Sequence, residues 1–406
     1  MPTVCEYQQS GLPVAGDAVT SSKVSPNRPL HVLTLTPFYP HAGDDAAGFF
    51  VAAPLPFFDP STVKSTVIAI RPLHRKRARA ASAHPATWLH YVSVPGNSGL
   101  ASSGAFLFAR MLSRIRALHA AEPVDLIHAH AALPCGHAAA LLSRALRIPY
   151  VVSVHGRDAY SSQQVGGVSG RWCRRISEMV YRGASRVVCV SDKVRHEVEG
   201  GCQSARCTVV YNGVDPEVFR PDPRECDRDL VVLSIGNLIE SKGHECLLRA
   251  IAEVSSSSLR YEIIGTGPER GRLVSLAEGL GIRSQVQFLG RQPREAVAAV
   301  LRRCTIFALP SRYEALGCVY LEAMASGCPV VGCRGQGIDE VIQSGYNGWL
   351  VDADNPQQLS EALVTLLNDA RLRARMGAAA RNTITSGFTL THQAEHLAQI
   401  YWEFAQ

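Results

Sequence analysis

The chain has 406 residues, 46% of them apolar and 19% charged, with mean hydropathy near zero and a net charge of +6. This composition excludes fibrous and low-complexity classes, and the length points to two domains of about 200 residues each. No apolar run reaches the ~18 residues that span a bilayer; the longest, Ala46 to Phe58, is cut by Pro54 and Pro56.

Residues 1–29 are polar, lack an apolar signal core and read as a disordered tail. Short β-branched runs then alternate with amphipathic stretches. The expected strands are HVLTLT (31–36), STVIAI (65–70), LHYVSV (89–94), DLIHAH (125–130), YVVSVH (150–155), RVVCVS (186–191) and CTVVYN (207–212). Near-continuous apolar runs separated by helical segments predict parallel strands covered on both faces. Twelve scattered cysteines form no CxxC pair, which fits reduced, mostly buried thiols in a cytosolic protein better than disulfides or zinc.

Charge is uneven. Residues 1–220 hold 23 Lys and Arg against 14 Asp and Glu, and residues 221–406 hold 18 against 21. A basic first half suggests an anionic partner there. Its densest runs are RPLHRKRARA (71–80), ARMLSRIRALH (109–119) and RWCRRI (171–176). In the second run Met111, Leu112, Ile115 and Leu118 form a helical stripe, with Arg110, Arg114 and Arg116 around it. Two readings stand: an interfacial helix on anionic lipid, or an ordinary helix with a solvated basic face. No nucleic-acid module accompanies the charge, so nucleic acid is not an expected partner.

PDPRECDRD, after Arg220, reads as a linker. The alternation restarts with LVVLSIG (230–236), RYEIIG (260–265), QVQFLG (285–290), TIFALP (305–310) and PVVGC (329–333), and a helix is expected over Thr389 to Ala405. Two doubly wound sheets in tandem would enclose a cleft between their strand C-termini, where open α/β sheets bind ligands. In IGNLIESKGHECLLRA, Lys242 and Gly243 stand at the opening of a helix, a position suited to a diphosphate, although the GxxxxGK[ST] loop is absent. IGTGPER (264–270) is a further strand-end turn with two glycines. In SRYEALGCVYLEAMASGCPVV (311–331), Glu314 falls in the loop at a strand end and Glu322 eight residues later inside a helix. Both can face one cleft, or they can be solvated charges. GQGIDEVIQSGYNGWLV (335–351) adds a glycine loop, Asp339 and Glu340, and a hairpin-like YNG turn.

From residue 31 to residue 404 these elements resemble the retaining glycosyltransferases of family 4, which have the two-domain GT-B fold. The resemblance rests on EALGCVYLE with AMASGCPVV, GIDEVI, NGWLV, SIGNLIESKG, IGTGP, YNGVDPEVFRP (211–221) and SVHGRD (153–158), all in the family's order. It implies an α/β GT-B fold of two Rossmann-like domains, an acceptor-side domain at 30–215 and a nucleotide-sugar domain at 216–388, with helix 389–406 returning to the first.

It further implies roles for single residues. Lys242 would bind the donor diphosphate, Glu322 the nucleotide ribose and Glu314 hydroxyls of the donor sugar. Backbone amides of Leu316, Gly317, Cys318 and Val319 would meet sugar and phosphate, with Gly267 near the nucleotide and Arg291 near the base. His155 would reach the donor sugar across the cleft, and Asp158 would orient that region. The loop PFYPHAGDDAAGFF (37–50) would cover the acceptor side through Gly43 and Gly48, while His128 and His130 could equally be packing residues. Where relatives carry an arginine, this chain has Asn237, so the turn supplies one cation, Lys242. Leu316 replaces a common phenylalanine, and Gly43 and Gly48 are not the adjacent glycine pair frequent in the family.

The implied partners are a UDP- or GDP-sugar donor and a lipid-linked, polysaccharide or other glycan acceptor, with no metal or cofactor and peripheral contact with an anionic membrane. A nucleotide-sugar epimerase of the same architecture and a non-catalytic sugar-nucleotide-binding protein are the alternatives. The first should act without an acceptor, and the second is kept open by Asn237.

Overall fold

The computed structural model describes residues 28–42, 44, 46–74, 85–93, 99–160, 165–222, 230–254 and 258–405. The expected tail up to residue 27, Gly43, basic residues 75–80 and most of the linker lie outside the described residues.

The first sheet contains β1 (Leu30–Thr36), β2 (Val63–Pro72), β3 (Thr87–Tyr91), β4 (Leu126–His130), β5 (Tyr150–Val154), β6 (Arg186–Cys189) and β7 (Cys207–Val209). Its order is β3-β2-β1-β4-β5-β6-β7 and every pair is parallel. The second contains β8 (Leu230–Ile235), β9 (Leu259–Ile264), β10 (Val286–Gly290), β11 (Ile306–Ala308), β12 (Val330–Cys333) and β13 (Trp349–Val351), again parallel, in the order β10-β9-β8-β11-β12-β13. Each strand seen in the sequence forms. Their residues are apolar on both faces because helices cover both.

Helices α1 (Phe49–Ala52), α2 (Leu100–Ala121), α3 (His137–Leu146), α4 (Gly167–Gly183) and α5 (Asp192–Gly201) belong to the first sheet. Helices α6 (His244–Glu253), α7 (Arg270–Gly279), α8 (Arg294–Arg303), α9 (Cys318–Ala325), α10 (Pro356–Asn368) and α11 (Ala370–Gly387) belong to the second. The strand order reverses between β1 and β4 and between β8 and β11, which fixes where each sheet opens a ligand crevice.

Of the two readings of the 109–119 run, the apolar stripe fits the ordinary helix with a solvated basic face: Met111 and Ile115 are fully buried and α2 packs on α3 and α4, while Arg110, Arg114 and Arg116 occupy its exposed side. One expectation needs correction. The YNG segment closes no hairpin. The strand after it, β13, runs parallel to β12, and Asn347 is buried, donating to the Val341 carbonyl and accepting from Gln343 N–H. A hairpin would need antiparallel partners on both sides of the turn.

The last helix, α12 (Leu390–Phe404), begins at an N-cap in which the Thr389 side chain accepts from His392 N–H. It seats Ala394, Leu397, Ile400 and Tyr401 against Leu30, Val32, Val151 and Val188 of the first domain. The chain therefore crosses between domains twice, and the crossings touch: Val214 N–H donates to the Phe388 carbonyl and Leu390 N–H to the Val214 carbonyl. Among the described residues no helix is long and apolar enough to cross a membrane.

Candidate active site

The loops after β8 and β11, on either side of the second sheet's reversal, carry the charged residues. Gly243 is held at φ 71°, and a Cβ there would lie 1.9 Å from the Pro310 carbonyl oxygen. Only glycine lets the two loops close like this. The contact brings Lys242, in the turn Glu240–Lys242, to Glu314: Nζ to Oε2 is 2.5 Å, with both side chains mostly buried. Gln336 accepts from Glu314 N–H, and Gly337 N–H donates to the Glu314 carbonyl. Glu314 is thus fixed by backbone on both sides of its side chain.

Gly317, at φ 86°, turns the chain into α9. One turn in, Glu322 is buried and accepts from Arg294 at 2.9 Å. Burial raises its pKa and the Arg294 guanidinium opposes that rise. A cavity of ≈ 250 Å³ lies against this group, lined by Gly236, Asn237, Gly265, Arg291, Arg294, Cys318, Val319 and Glu322. Phe49 and Phe50 close it from the first domain.

Of the residues named from the resemblance in the second domain, Lys242, Gly267, Glu314, Leu316 and Gly317 stand outside this lining. Gly267 packs on the Leu238 backbone, where a Cβ would meet the carbonyl oxygen at 2.2 Å; the glycine of this turn that lines the cavity is Gly265. Leu316 is buried in the core.

In the first domain His155 follows β5. Its Nε2 is 2.9 Å from His130 Nδ1, the rings are stacked, and Phe50 lies against it with ring centroids 4.5 Å apart. Phe50 stands between His155 and the donor-side cavity, and His155 lines a separate cavity on the first domain. Burial drives His155 down to about 3, so the ring is neutral. His130 is lowered by burial too, and His128, also at about 3 from burial, bonds Ser153 and Tyr401. Asp158 accepts from His155 N–H at 2.9 Å; burial outweighs its backbone donors and pushes it up to about 7. Gly48, at φ 64°, packs so closely on the Phe38–Tyr39 backbone that a Cβ would sit 2.2 Å from the Phe38 carbonyl carbon.

Several contacts join the domains. Arg291 pairs with Asp44, and Arg294 lies over the Phe49 ring at 3.6 Å from its centroid. Glu340 accepts from Asp192 N–H at 2.7 Å, Lys193 N–H at 2.8 Å and the Tyr211 hydroxyl at 3.0 Å. It therefore caps α5 from the opposite domain, supplying the anion that a helix N-terminus favours.

Sequence reasoning missed Arg294, the His130–His155 bond and the capping role of Glu340. The signal for Arg294 was present in GRQPRE, where it opens a helix shortly after a strand end.

Two facing α/β domains with parallel sheets and a charged cleft at their strand ends define the GT-B architecture. The model described as "Glycosyl transferases group 1" matches residues 216–383, and that described as "Glycosyltransferase Family 4" matches residues 62–218. The chain is 33% identical over 304 residues to a D-inositol 3-phosphate glycosyltransferase of Corynebacterium jeikeium, covering 69% of this chain and 72% of that one. It is 31% identical over 259 residues to a glycosyltransferase of Methanocaldococcus jannaschii, covering 63% and 69%. Among solved structures, a sucrose-phosphate synthase from Thermosynechococcus elongatus has a TM-score of 0.75 at 17% identity, over 92% of this chain and 98% of that one. Anabaena HepE in complex with UDP has 0.73 at 19% identity, over 92% and 100%. The chain belongs to the family 4 glycosyltransferases and is a glycosyltransferase of GT-B fold.

Proposed function

We propose that the protein transfers a sugar, with retention, from a UDP- or GDP-sugar to a lipid-linked, polysaccharide or other glycan acceptor. The observation that carries this reading is the pairing of Lys242 with Glu314 beside the cavity that Glu322 lines. A departing nucleoside diphosphate develops negative charge, which Lys242 and the first amides of α9 counter from fixed positions. On donor binding the diphosphate replaces Glu314 as the partner of Lys242, and the freed Glu314 carboxylate accepts from sugar hydroxyls. Glu322 accepts from the ribose.

Attack takes place on the face the leaving group departs from. The bond from the sugar anomeric carbon to the diphosphate oxygen breaks as the bond to the acceptor oxygen forms, and the acceptor proton passes to the diphosphate. The UDP in the HepE structure makes uridine donors the first to screen. The exposed arginines of α2 support peripheral contact with anionic lipid, which vesicle co-sedimentation tests.

The deciding experiment incubates the purified protein with several nucleotide-sugars, with and without a membrane extract as acceptor source, and measures nucleoside diphosphate release. Acceptor-stimulated release supports transfer, and no release with any donor sinks it. Conversion of the nucleotide-sugar without an acceptor would indicate epimerisation instead.

A further inference from the structure

The cysteines are scattered along the sequence, and the fold brings two of them together at the edge of the second sheet away from the cleft. Cys304 follows the last turn of α8 and leads into β11, while Cys328 follows α9 and leads into β12. These strands are parallel neighbours, with Phe307 paired to Val330 and Phe307 N–H donating to the Pro329 carbonyl. The residues just before the two strands therefore lie side by side. Gly327, at φ 74°, ends α9 and Cys328 N–H turns back to the Ala323 carbonyl, which fixes where the second thiol emerges.

Cys304 Sγ and Cys328 Sγ are 2.8 Å apart, and Cys328 Sγ lies 3.6 Å from the Cys304 carbonyl oxygen. Disulfide sulfurs are about 2.05 Å apart, so this pair closes with less than about 1 Å of movement. Both thiols are free; Cys328 is buried and Cys304 partly exposed, so a small oxidant reaches the pair from the Cys304 side. Enclosure of its sulfur and the neighbouring thiol raise the Cys304 pKa. Little thiolate is then present near neutral pH, and the pair answers sustained peroxide and not trace oxidant.

We propose that Cys304 and Cys328 form a redox site, a dithiol that a peroxide converts to a disulfide tying α8 to α9. Hydrogen peroxide transfers one oxygen to the first sulfur, giving a sulfenic acid and water. The second thiol attacks that sulfur, the S–O bond breaks, and the hydroxyl leaves with the thiol proton as a second water. α8 opens with Arg294 and α9 carries Glu322, so the disulfide joins the far ends of the two helices whose ion pair lines the donor-side cavity. With 24 positions between the cysteines, the closed loop stabilises this half of the protein by restricting its unfolded chain. The site is independent of the proposed transfer chemistry.

The test treats the reduced, purified chain with hydrogen peroxide, blocks remaining thiols with N-ethylmaleimide and digests with trypsin in the absence of reductant. Peptides 304–312 and 313–334 should be recovered joined, two hydrogens lighter than their sum, and should separate with dithiothreitol. The oxidised protein should melt about 5–10 °C higher than the reduced one. Cys304→Ser and Cys328→Ser should each lose the link and the rise. Peptide 313–334 also holds Cys318 and Cys333, and Cys328→Ser identifies which sulfur is used. Circular dichroism verifies that each variant is folded.

Recovery of the two peptides unlinked after peroxide, blocked by N-ethylmaleimide or oxidised to sulfinic acid, overturns the proposal. So does a link that persists in Cys328→Ser. A link that leaves the melting temperature unchanged overturns it too, because the disulfide then ties nothing together.

Discussion

The Arg294 guanidinium donates to Glu322 at 2.9 Å while lying 3.6 Å from the centre of the Phe49 ring. One side chain thus neutralises a buried carboxylate of the second domain and stacks on an aromatic ring of the first. Breaking a buried pair costs about 3–5 kcal/mol; with the Arg294 side chain 23% exposed, solvent reduces this, and Arg294→Met should cost about 2 kcal/mol. Urea unfolding of Arg294→Met, Glu322→Gln and the double variant measures it. The double variant should lose less than the sum of the singles; strict additivity would show the pair is uncoupled.

The two carboxylates should separate kinetically. Glu322→Ala should weaken nucleotide binding by about tenfold, the worth of one charged hydrogen-bonded contact. Glu314→Ala should mainly lower turnover, by about 100-fold, typical of losing a group that acts on the reacting sugar. Nucleotide titration and initial rates check both, and equal nucleotide affinity in wild type and both variants would remove this division of roles.

Glu340→Ala should leave the first two amides of α5 and the Tyr211 hydroxyl without their acceptor at once, while Ser191 still caps Val194 N–H. A lost cap costs about 0.5–2 kcal/mol, and this cap also joins the domains. The melting temperature should fall, and the radius of gyration from solution scattering should rise. A lower melting temperature with an unchanged radius would confine Glu340 to capping.

Stability should depend on pH in two opposed ways. His128 and His155 are held neutral by burial at about 3, below the ~6.5 of an unfolded histidine. Their contribution is therefore complete above about pH 6.5 and is lost as pH falls, by up to about 1.4 kcal/mol per pH unit for each. Asp158 is raised to about 7, so its contribution is complete at low pH and is lost as pH rises toward 7. In urea titrations the stability of Asp158→Asn relative to wild type should climb between pH 5 and 7 and level off above that. A flat difference would show that the carboxylate ionises freely.

The strands were legible because their signal is local: LVVLSIG or YVVSVH must be apolar on both faces wherever a parallel sheet is covered twice. Lys242, Glu314 and Glu322 were legible because loop and helix boundaries around glycine placed them at strand ends. Arg294, His130 and Glu340 were not, since each acts through a partner distant in sequence and no periodicity records such a pairing. The stripe on α2 shows the limit from the other side. Helical spacing located an apolar face at Met111 and Ile115, but whether lipid or protein covers it depends on α3 and α4. Strand β13 was missed because its three residues are too short for a pattern and only β12 gives them a partner.

The paired crossings at Val214 and Thr389 have a mechanical consequence. A single linker would let the domains swing in any direction, whereas two adjacent strands tied by backbone hydrogen bonds act as a hinge plate with one easy axis. Gly213 sits at that plate with no room for a Cβ, which would meet the Thr389 carbonyl oxygen at 2.3 Å. Opening and closing of the cleft should therefore follow one rotational path, which brings Arg294 back over Phe49 and Arg291 back to Asp44 in the same registration on every cycle.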